Sequence, residues 1–413
     1  MGKLTSKIQA ISYSLRHGRT EVSAKEENNK ILIIMDQGGV GDAVCSLDAF
    51  SYIAEYTRGK YELYIATQPP VIRFLQEIRA TFGAQLIPLE LAGEGKWEFP
   101  IFKKNSENLA GCHWRYIVYL NRIDSYVNLL LAGCDYDGMC GTEFIGKKVG
   151  FGSRLLRNRL HDYVCIDVQM DEHVAEIHAK VAEELLQALV GDDSGRKVLP
   201  YEISRLEENP LAAKKGKYCI VCPSVSVQKN NAFVHRKWPI DRFVKVVDFI
   251  AETSDLSICL CGVEADRADN EYVEKHVKDP SRIINLTGKT SFKEWIELIR
   301  GAKFVFGNDS GYIHLAAMLK VPSFVLAGYW NYGRFLPYCG WMAKGKTVPV
   351  DIRVPQPPCS NCFRLNPCGK EKRECDRCVK EIGVYKCILE IGVEQVNRAL
   401  IENHMVEGKK VAE

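Results

Sequence analysis

The chain has 413 residues, 46% of them hydrophobic and 26% charged, which suits two ordinary soluble domains with large cores. A net charge of +3, with no arginine-rich or aromatic-interleaved tract, argues against nucleic acid as a partner. No apolar run approaches the roughly 18–20 residues that span a bilayer, and residues 1–27 lack the apolar core of a signal peptide, so a cytoplasmic protein is expected.

Residues 1–27 read as a polar N-terminal extension in which Leu4, Ile8, Ile11 and Leu15 share one face of a short helix, accompanied by Lys3, Lys7, Arg16 and Arg19. Docking on the protein's own body, or disorder, is the simpler reading; contact with an anionic membrane surface is the other. A buried strand over 31–35 leads into Gly38, Gly39, Gly41 and Asp42, then a helix over 43–56. The three-glycine dinucleotide spacing is incomplete, so an ordinary nicotinamide site is not expected. The glycines still let a ligand approach the backbone. Asp42 is either a favourable first-turn carboxylate or a general base. The alternation continues with a strand over 61–66, a helix over 71–82, strands over 85–89, 116–120 and 148–151, and a helix over 173–189. A polar linker at 191–197 puts a domain boundary within 191–215.

The second half opens with a strand over 218–222 and a loop carrying Ser224, Ser226, Gln228, Lys229, His235, Arg236 and Lys237. Cations and hydroxyls at a strand's end suit a diphosphate, whose charge must be neutralised and whose oxygens need donors. A solvated basic loop is the plainer alternative. Trp238-Pro239 starts a helix through 250, and a strand over 256–261 ends near Glu264 and Asp266, either of which can accept from ribose hydroxyls. Ser291-Phe292-Lys293-Glu294 is a capping box opening a helix to 300.

A strand over 303–307, a break at Asn308-Asp309-Ser310-Gly311, a helix over 312–320 and a strand over 323–326 make a compact βαβ unit. That unit implies a parallel sheet with its ligand site at the strand ends. Asp309 or Ser310 can cap the helix, Gly311 admits a ligand, and the helix start is an anion site. Ser310 and His314, four apart, share a helix face; a capped helix with a satisfied histidine is the bland alternative.

Cys219, Cys222, Cys259 and Cys261 lie in apolar strands and read as reduced core residues. Cys359, Cys362, Cys368, Cys375, Cys378 and Cys387 instead crowd together in a proline-containing insert over 355–390. The pairs Cys359-x2-Cys362 and Cys375-x2-Cys378 have the spacing of a tetrathiolate knuckle for structural zinc or iron. Reduced or partly disulfide-linked cysteines in a long loop are the alternative. A helix over 393–401 follows.

Taken together, Gly38-Gly39-Val40-Gly41-Asp42, Arg236-Lys237-Trp238-Pro239, and Asp309-Ser310-Gly311-Tyr312-Ile313-His314-Leu315-Ala316-Ala317 followed by Val321-Pro322 resemble glycosyltransferase family 9, the heptosyltransferases. The resemblance implies an α/β GT-B architecture, with two Rossmann-like domains facing across a cleft. The acceptor domain would span 28–195 and the nucleotide-sugar domain 215–400. By position, Asp42 matches the family's catalytic carboxylate. Asp309, Ser310 and Gly311 match the diphosphate turn, and His314 the motif histidine. Arg236 stands where the family has a phosphate-binding lysine, with Lys237 beside it and Lys229 nearby.

The chemistry this implies passes through an oxocarbenium-like state while charge builds on the departing diphosphate. A helix start with Arg236 or Lys229 meets that charge without metal, and no Asp-x-Asp motif occurs in the nucleotide loops. Asp42 takes the acceptor's proton, which predicts inversion. The expected activity moves heptose or another sugar from an ADP-heptose-like donor to a lipopolysaccharide-core-like glycan, lipid-linked at the inner membrane surface, or to a protein. A nucleotide-sugar 2-epimerase and a non-catalytic sugar-nucleotide scaffold are the alternatives. The cysteine insert also resembles the autotransporter heptosyltransferases, which have a cysteine-held iron finger and assemble into large oligomers.

Overall fold

The computed structural model describes residues 3–16, 29–36, 39–90, 98–122, 125–131, 133–145, 160, 162–169, 172–192, 195–214, 216–225, 234–329, 332–338, 340–356 and 381–407. The chain divides into two compact units, Met1–Tyr201 and Glu202–Glu413.

In the first unit, strand β1 (Lys30–Met35) is followed by β2 (Glu62–Thr67), β3 (Gln85–Pro88), β4 (His113–Trp114), β5 (Tyr116–Arg122), β6 (Asp135–Tyr136), β7 (Met139–Phe144) and β8 (Tyr163–Val168). Six of them form a parallel sheet in the order β3-β2-β1-β5-β7-β8, while β4 and β6 pair separately. β1 is buried almost throughout, as a run of Ile, Leu and Met with helices over both faces of its sheet requires.

Helix α1 (Lys3–Arg16) precedes the sheet, and α2 (Val40–Thr57), α3 (Pro69–Glu77), α4 (Phe99–Ala110), α5 (Ser125–Leu131) and α6 (Val174–Val190) connect or cover it. α1 docks on the unit's own body: Ala10 and Ser14 are buried, Ser14 Oγ donates to the Leu129 carbonyl at 3.0 Å, and Tyr13 meets Phe99 and Phe102 edge-on. α2 begins at Val40, earlier than the expected 43, because Gly39 already takes the extended N-cap conformation. α3 stops at Glu77 instead of 82, since Arg79 and Phe82 adopt positive φ. The expected strand at 148–151 lies outside the described residues; β7 and β8, on either side of it in sequence, were not anticipated.

The second unit is built on β9 (Tyr218–Cys222), β10 (Ser257–Leu260), β11 (Ile283–Asn285), β12 (Val305–Asn308), β13 (Ser323–Leu326) and β14 (Val350–Ile352). They form a parallel sheet in the order β11-β10-β9-β12-β13-β14, the doubly wound arrangement of nucleotide-binding folds. Its helices are α7 (Ile240–Thr253), α8 (Arg267–His276), α9 (Phe292–Gly301), α10 (Gly311–Met318), α11 (Lys386–Leu389) and α12 (Val393–Glu402). α9 starts at the expected capping box, with the Ser291 N–H donating to Glu294 Oε2 at 2.8 Å and the Glu294 N–H returning to Ser291 Oγ at 3.3 Å.

Trp238 anchors this unit's core. It is fully buried, meets Phe243 edge-on, and donates its indole N–H to the Ile391 carbonyl at 2.9 Å. Burying a side chain of this size removes enough apolar surface to contribute roughly 1.5–3 kcal/mol or more. Cys219, Cys222, Cys259 and Cys261 are buried and free. Burial pushes the Cys222 thiol well up, so that group is inert packing and not a nucleophile.

Candidate active site

In the second sheet β9 and β12 are neighbours from which the chain departs in opposite directions, and ligands of such sheets bind outside the strand ends at that switch point. Asn308, fully buried at the end of β12, ties the place together. Its Nδ2 donates to the Pro223 carbonyl just past β9 at 2.7 Å, and its Oδ1 accepts the Trp238 N–H at 3.1 Å. Gly307 permits the closeness, because a Cβ there would lie 2.5 Å from the Cys222 carbonyl oxygen.

The chain then turns into α10. Ser310 occupies the N-cap with extended backbone, yet its side chain makes no capping hydrogen bond, contrary to the expected cap. Its buried Oγ has no hydrogen-bond partner among the described residues. A helix start beside an unengaged hydroxyl is a receptor for anionic oxygen. Asp309 Oδ1 lies 3.5 Å from His314 Nε2. His314 is buried, stacks on Tyr338 and shares a 2.7 Å hydrogen bond between Nδ1 and the Tyr338 hydroxyl. The histidine is thus engaged by Tyr338 beside the turn, while the capped helix of the plainer sequence alternative is not formed by Ser310.

The loop after β9 brings Ser224, Lys237, Asp266 and Asp269 together. Ser224 Oγ donates to Asp269 Oδ2 at 2.8 Å, and Lys237 forms an ion pair with the other oxygen of Asp269. Asp266 accepts the Val263 N–H at 2.9 Å. Burial pushes its carboxyl above the usual range; the Val263 N–H pulls it back, Asp269 pushes it further up, and Ser224 and Lys237 oppose. Glu264 differs. It is exposed, gripped by both Nε and Nη2 of Arg267 at 2.5 and 2.6 Å, and held below its ordinary pKa by that guanidinium. Arg236 is half-buried at the same loop. His235 turns elsewhere: Tyr385 donates its N–H to the His235 carbonyl at 2.8 Å, and His235 Nδ1 lies 2.9 Å from the Gly383 carbonyl. Lys229 lies outside the described residues, as do Gly38 and the cysteines 359, 362, 375 and 378. Cys387 is described, buried and packed in the core. Among the described residues no group of three or more His, Cys, Asp or Glu side chains is arranged to hold a metal ion.

Sequence reasoning missed Asn308 as the staple, and it also missed Arg353. Arg353 follows β14, sits over the rings of Tyr332 and Tyr329 at 4.5 and 5.4 Å, and pairs with Asp351. Burial lowers its pKa, while Tyr329, Tyr332, Cys387 and Asp309 act against that.

In the first unit the corresponding switch point lies between β1 and β5. Asp36, just past β1 and buried, accepts the Tyr119 hydroxyl at 2.5 Å. Asp42 is half-buried in the first turn of α2, with Oδ2 accepting the Gly39 N–H at 2.9 Å. Ser46 Oγ donates to the Asp42 carbonyl at 2.9 Å and lies 3.0 Å from His178 Nδ1, so a buried chain of polar groups holds this turn. Gly39 has open space where a Cβ would stand, and Gly41 lies inside the helix beside Asp42.

Residues 145–344 match the family model of glycosyltransferase family 9 (heptosyltransferase), a stretch that contains the Arg236–Pro239 and 309–322 motifs. This segment is similar to glycosyltransferase family 9. Asp42 lies outside the family 9 segment. Lipooligosaccharide heptosyltransferase 2 of Haemophilus ducreyi is 30% identical over 96 residues, covering 23% of this chain and 27% of that protein. Its counterpart in Campylobacter jejuni is 24% identical over 208 residues, covering 50% of this chain and 58% of that protein. The chain thus matches less than two thirds of the length of these relatives.

Among solved structures, the glycosyl transferase family 9 protein of Veillonella parvula aligns over 92% of this chain and 98% of its own, with TM-score 0.63 and 16% identity. E. coli heptosyltransferase WaaC, solved with ADP-2-deoxy-2-fluoro heptose, aligns over 91% and 98%, with TM-score 0.61 and 15% identity. At these identities the likeness establishes the fold, an α/β fold with the parallel sheets of the GT-B heptosyltransferases.

Proposed function

We propose that the chain is an inverting glycosyltransferase that moves heptose, or a related sugar, from a nucleotide-sugar donor to a glycan acceptor. The observation that carries this reading is the α10 turn: a helix start at the switch point, with the buried Ser310 hydroxyl unengaged, inside the family 9 segment. The donor's diphosphate rests on that turn, and Arg236 and Lys237 supply positive charge. Asp266 or Glu264 accepts from the ribose.

As the anomeric C–O bond to the diphosphate breaks, negative charge collects on the departing phosphate oxygens, where the helix start and the cations meet it. The acceptor hydroxyl attacks from the other side, its oxygen bonds to the anomeric carbon, and its proton passes to Asp42. These residues account for the charge without calling on a metal. Glycans of the lipopolysaccharide-core type, reached from the cytoplasmic side of a membrane, are the acceptor class this reading favours. No described helix is long and apolar enough to cross a membrane. On spacing alone, the cysteines 359, 362, 375 and 378 hold zinc or iron, and one ion per chain in metal analysis is the expected result.

Asp42→Asn is the decisive test of the chemistry. The amide oxygen still accepts the Gly39 N–H, so the turn survives, but the base is lost. Transfer should fall by about 100-fold or more while donor affinity stays within about twofold. An unchanged rate removes Asp42 from the mechanism.

A further inference from the structure

We propose that the ends of β13 and β14 form the subsite for the sugar of the nucleotide donor, with Asp351, Arg353 and Tyr332 reading its hydroxyls. Asp351 and Arg353 alternate with Ile352 and Val354 at the end of β14; the apolar pair packs in the core, and the charged pair shares the other face. Asp351 and Arg353 form an ion pair that leaves one donor and one acceptor over. Arg353 Nη1 and Asp351 Oδ1 are buried without a hydrogen-bond partner among the described residues. Buried polar groups are nearly always partnered, so an open donor beside an open acceptor implies a ligand that supplies both complements.

The pair selects its ligand. A guanidinium and a carboxylate side by side cancel in charge, and the open carboxylate oxygen repels an anionic phosphate. Neighbouring hydroxyls suit both groups: one accepts from Arg353 Nη1 and the next donates to Asp351 Oδ1. The Tyr332 ring, 4.5 Å from the guanidinium and 38% exposed, adds an apolar face beside them. The arginine and aspartate side chains keep 13% and 15% of their surface open, so the place is within reach of a ligand.

Strand order gives the placement. In the parallel order β11-β10-β9-β12-β13-β14 the diphosphate turn follows β12, and Glu264 and Asp266 follow β10. A donor lying across these ends sends its sugar away from the nucleoside, toward β13 and β14, about 5 and 10 Å beyond β12. The loop bearing Tyr332 is held to α10 by His314, which stacks on Tyr338 and meets Phe335 at 5.9 Å. This subsite rests on the donor reading proposed above and adds the part of the chain that recognises the sugar.

The test measures the calorimetric affinity of the full chain for ADP and for ADP-heptose. The wild type should bind ADP-heptose more tightly than ADP. Arg353→Lys keeps a cation for Asp351 but loses the fork, so ADP-heptose binding should weaken about tenfold or more while ADP binding stays within about twofold. Tyr332→Ala, at an exposed position, should weaken ADP-heptose binding about 3- to 10-fold with ADP again unchanged, and it decides the matter if Arg353→Lys does not fold. Unchanged ADP-heptose affinity overturns the subsite and leaves the proposed function standing. So does an equal loss for the two ligands, which puts these residues in the fold or against the diphosphate, and so does a wild type that gains no affinity from the sugar. A wild type that binds neither ligand overturns the proposed function and the subsite with it.

Discussion

Asn308→Ala removes the side chain that joins the ends of β9 and β12 to the start of the segment leading into α7. Two buried groups lose their partners, the Pro223 carbonyl and the Trp238 N–H. Each unsatisfied buried group costs about 1–3 kcal/mol, so the loss is roughly 2–6 kcal/mol. For a unit of this size 1 kcal/mol moves the midpoint by about 2–4 °C, which sets a lower bound of about 4 °C on the fall in Tm. The same staple positions Lys237, immediately before Trp238, relative to the α10 turn, so stabilisation by added ADP should shrink as well. Asn308→Asp keeps an acceptor for the Trp238 N–H but sets a carboxylate against the Pro223 carbonyl, and should lose at least as much at neutral pH. Thermal unfolding with and without ADP measures both effects. An Asn308→Ala midpoint within about 1 °C of wild type, with an unchanged ADP shift, would refute the staple.

Ser310→Ala should separate binding from folding. Its Oγ has no protein partner among the described residues, so stability should change by no more than about 0.5 kcal/mol. A hydrogen bond to a charged oxygen is worth about 1.5–3 kcal/mol, so calorimetric affinity for a nucleotide sugar should fall roughly 10- to 150-fold. Unchanged affinity removes Ser310 from the diphosphate site. Asp266 predicts a pH effect. Its folded pKa is raised, chiefly by burial, so its stabilising contribution is full below the unfolded carboxylate pKa and is lost as pH rises through the folded value. Asp266→Asn keeps an acceptor for Val263 and does not titrate. Its stability relative to wild type should therefore climb over that window and level off above it. Denaturant unfolding from about pH 3 to 7 checks this, and parallel curves would contradict it.

Local signals carried much of the fold. The capping box at Ser291 and Glu294 opens α9 where expected, Ser323–Leu326 is the strand over 323–326, and Pro239 stands at the N-cap of α7. Each is marked by a handful of adjacent residues: a cap closed within one turn, a proline at a helix start, or a short apolar run bounded by a turn. β7 and β8 were not legible for the opposite reason. MCGTEF mixes small, polar and apolar residues, and its strand character comes from pairing with β5 and β8 in a sheet. Phe82 likewise reads as a helical residue, and only its left-handed backbone shows that α3 has already ended.

The site divides along the same line. Asp309, Ser310 and Gly311 declare a helix start because capping is local, and the hydroxyl of Ser310 was visible as a candidate for that reason. Asn308 is adjacent to them in sequence and was read merely as part of the break. Its partners lie 85 and 70 residues away, so no spacing within the motif marks it. Arg353 is hidden in the same manner, since its meaning comes from Tyr329, Tyr332 and Asp309, which are brought to it by β13 and the α10 turn. Glu264 and Asp266 looked equivalent on the page, but Arg267 occupies Glu264 while Asp266 sits with Ser224, Lys237 and Asp269. A carboxylate held in a bidentate clasp keeps lone pairs for a ligand, but its orientation is set by the arginine. Asp266 instead lies with Ser224 and Lys237 at the end of β9, next to the switch point, which makes it the stronger of the two candidates for the ribose.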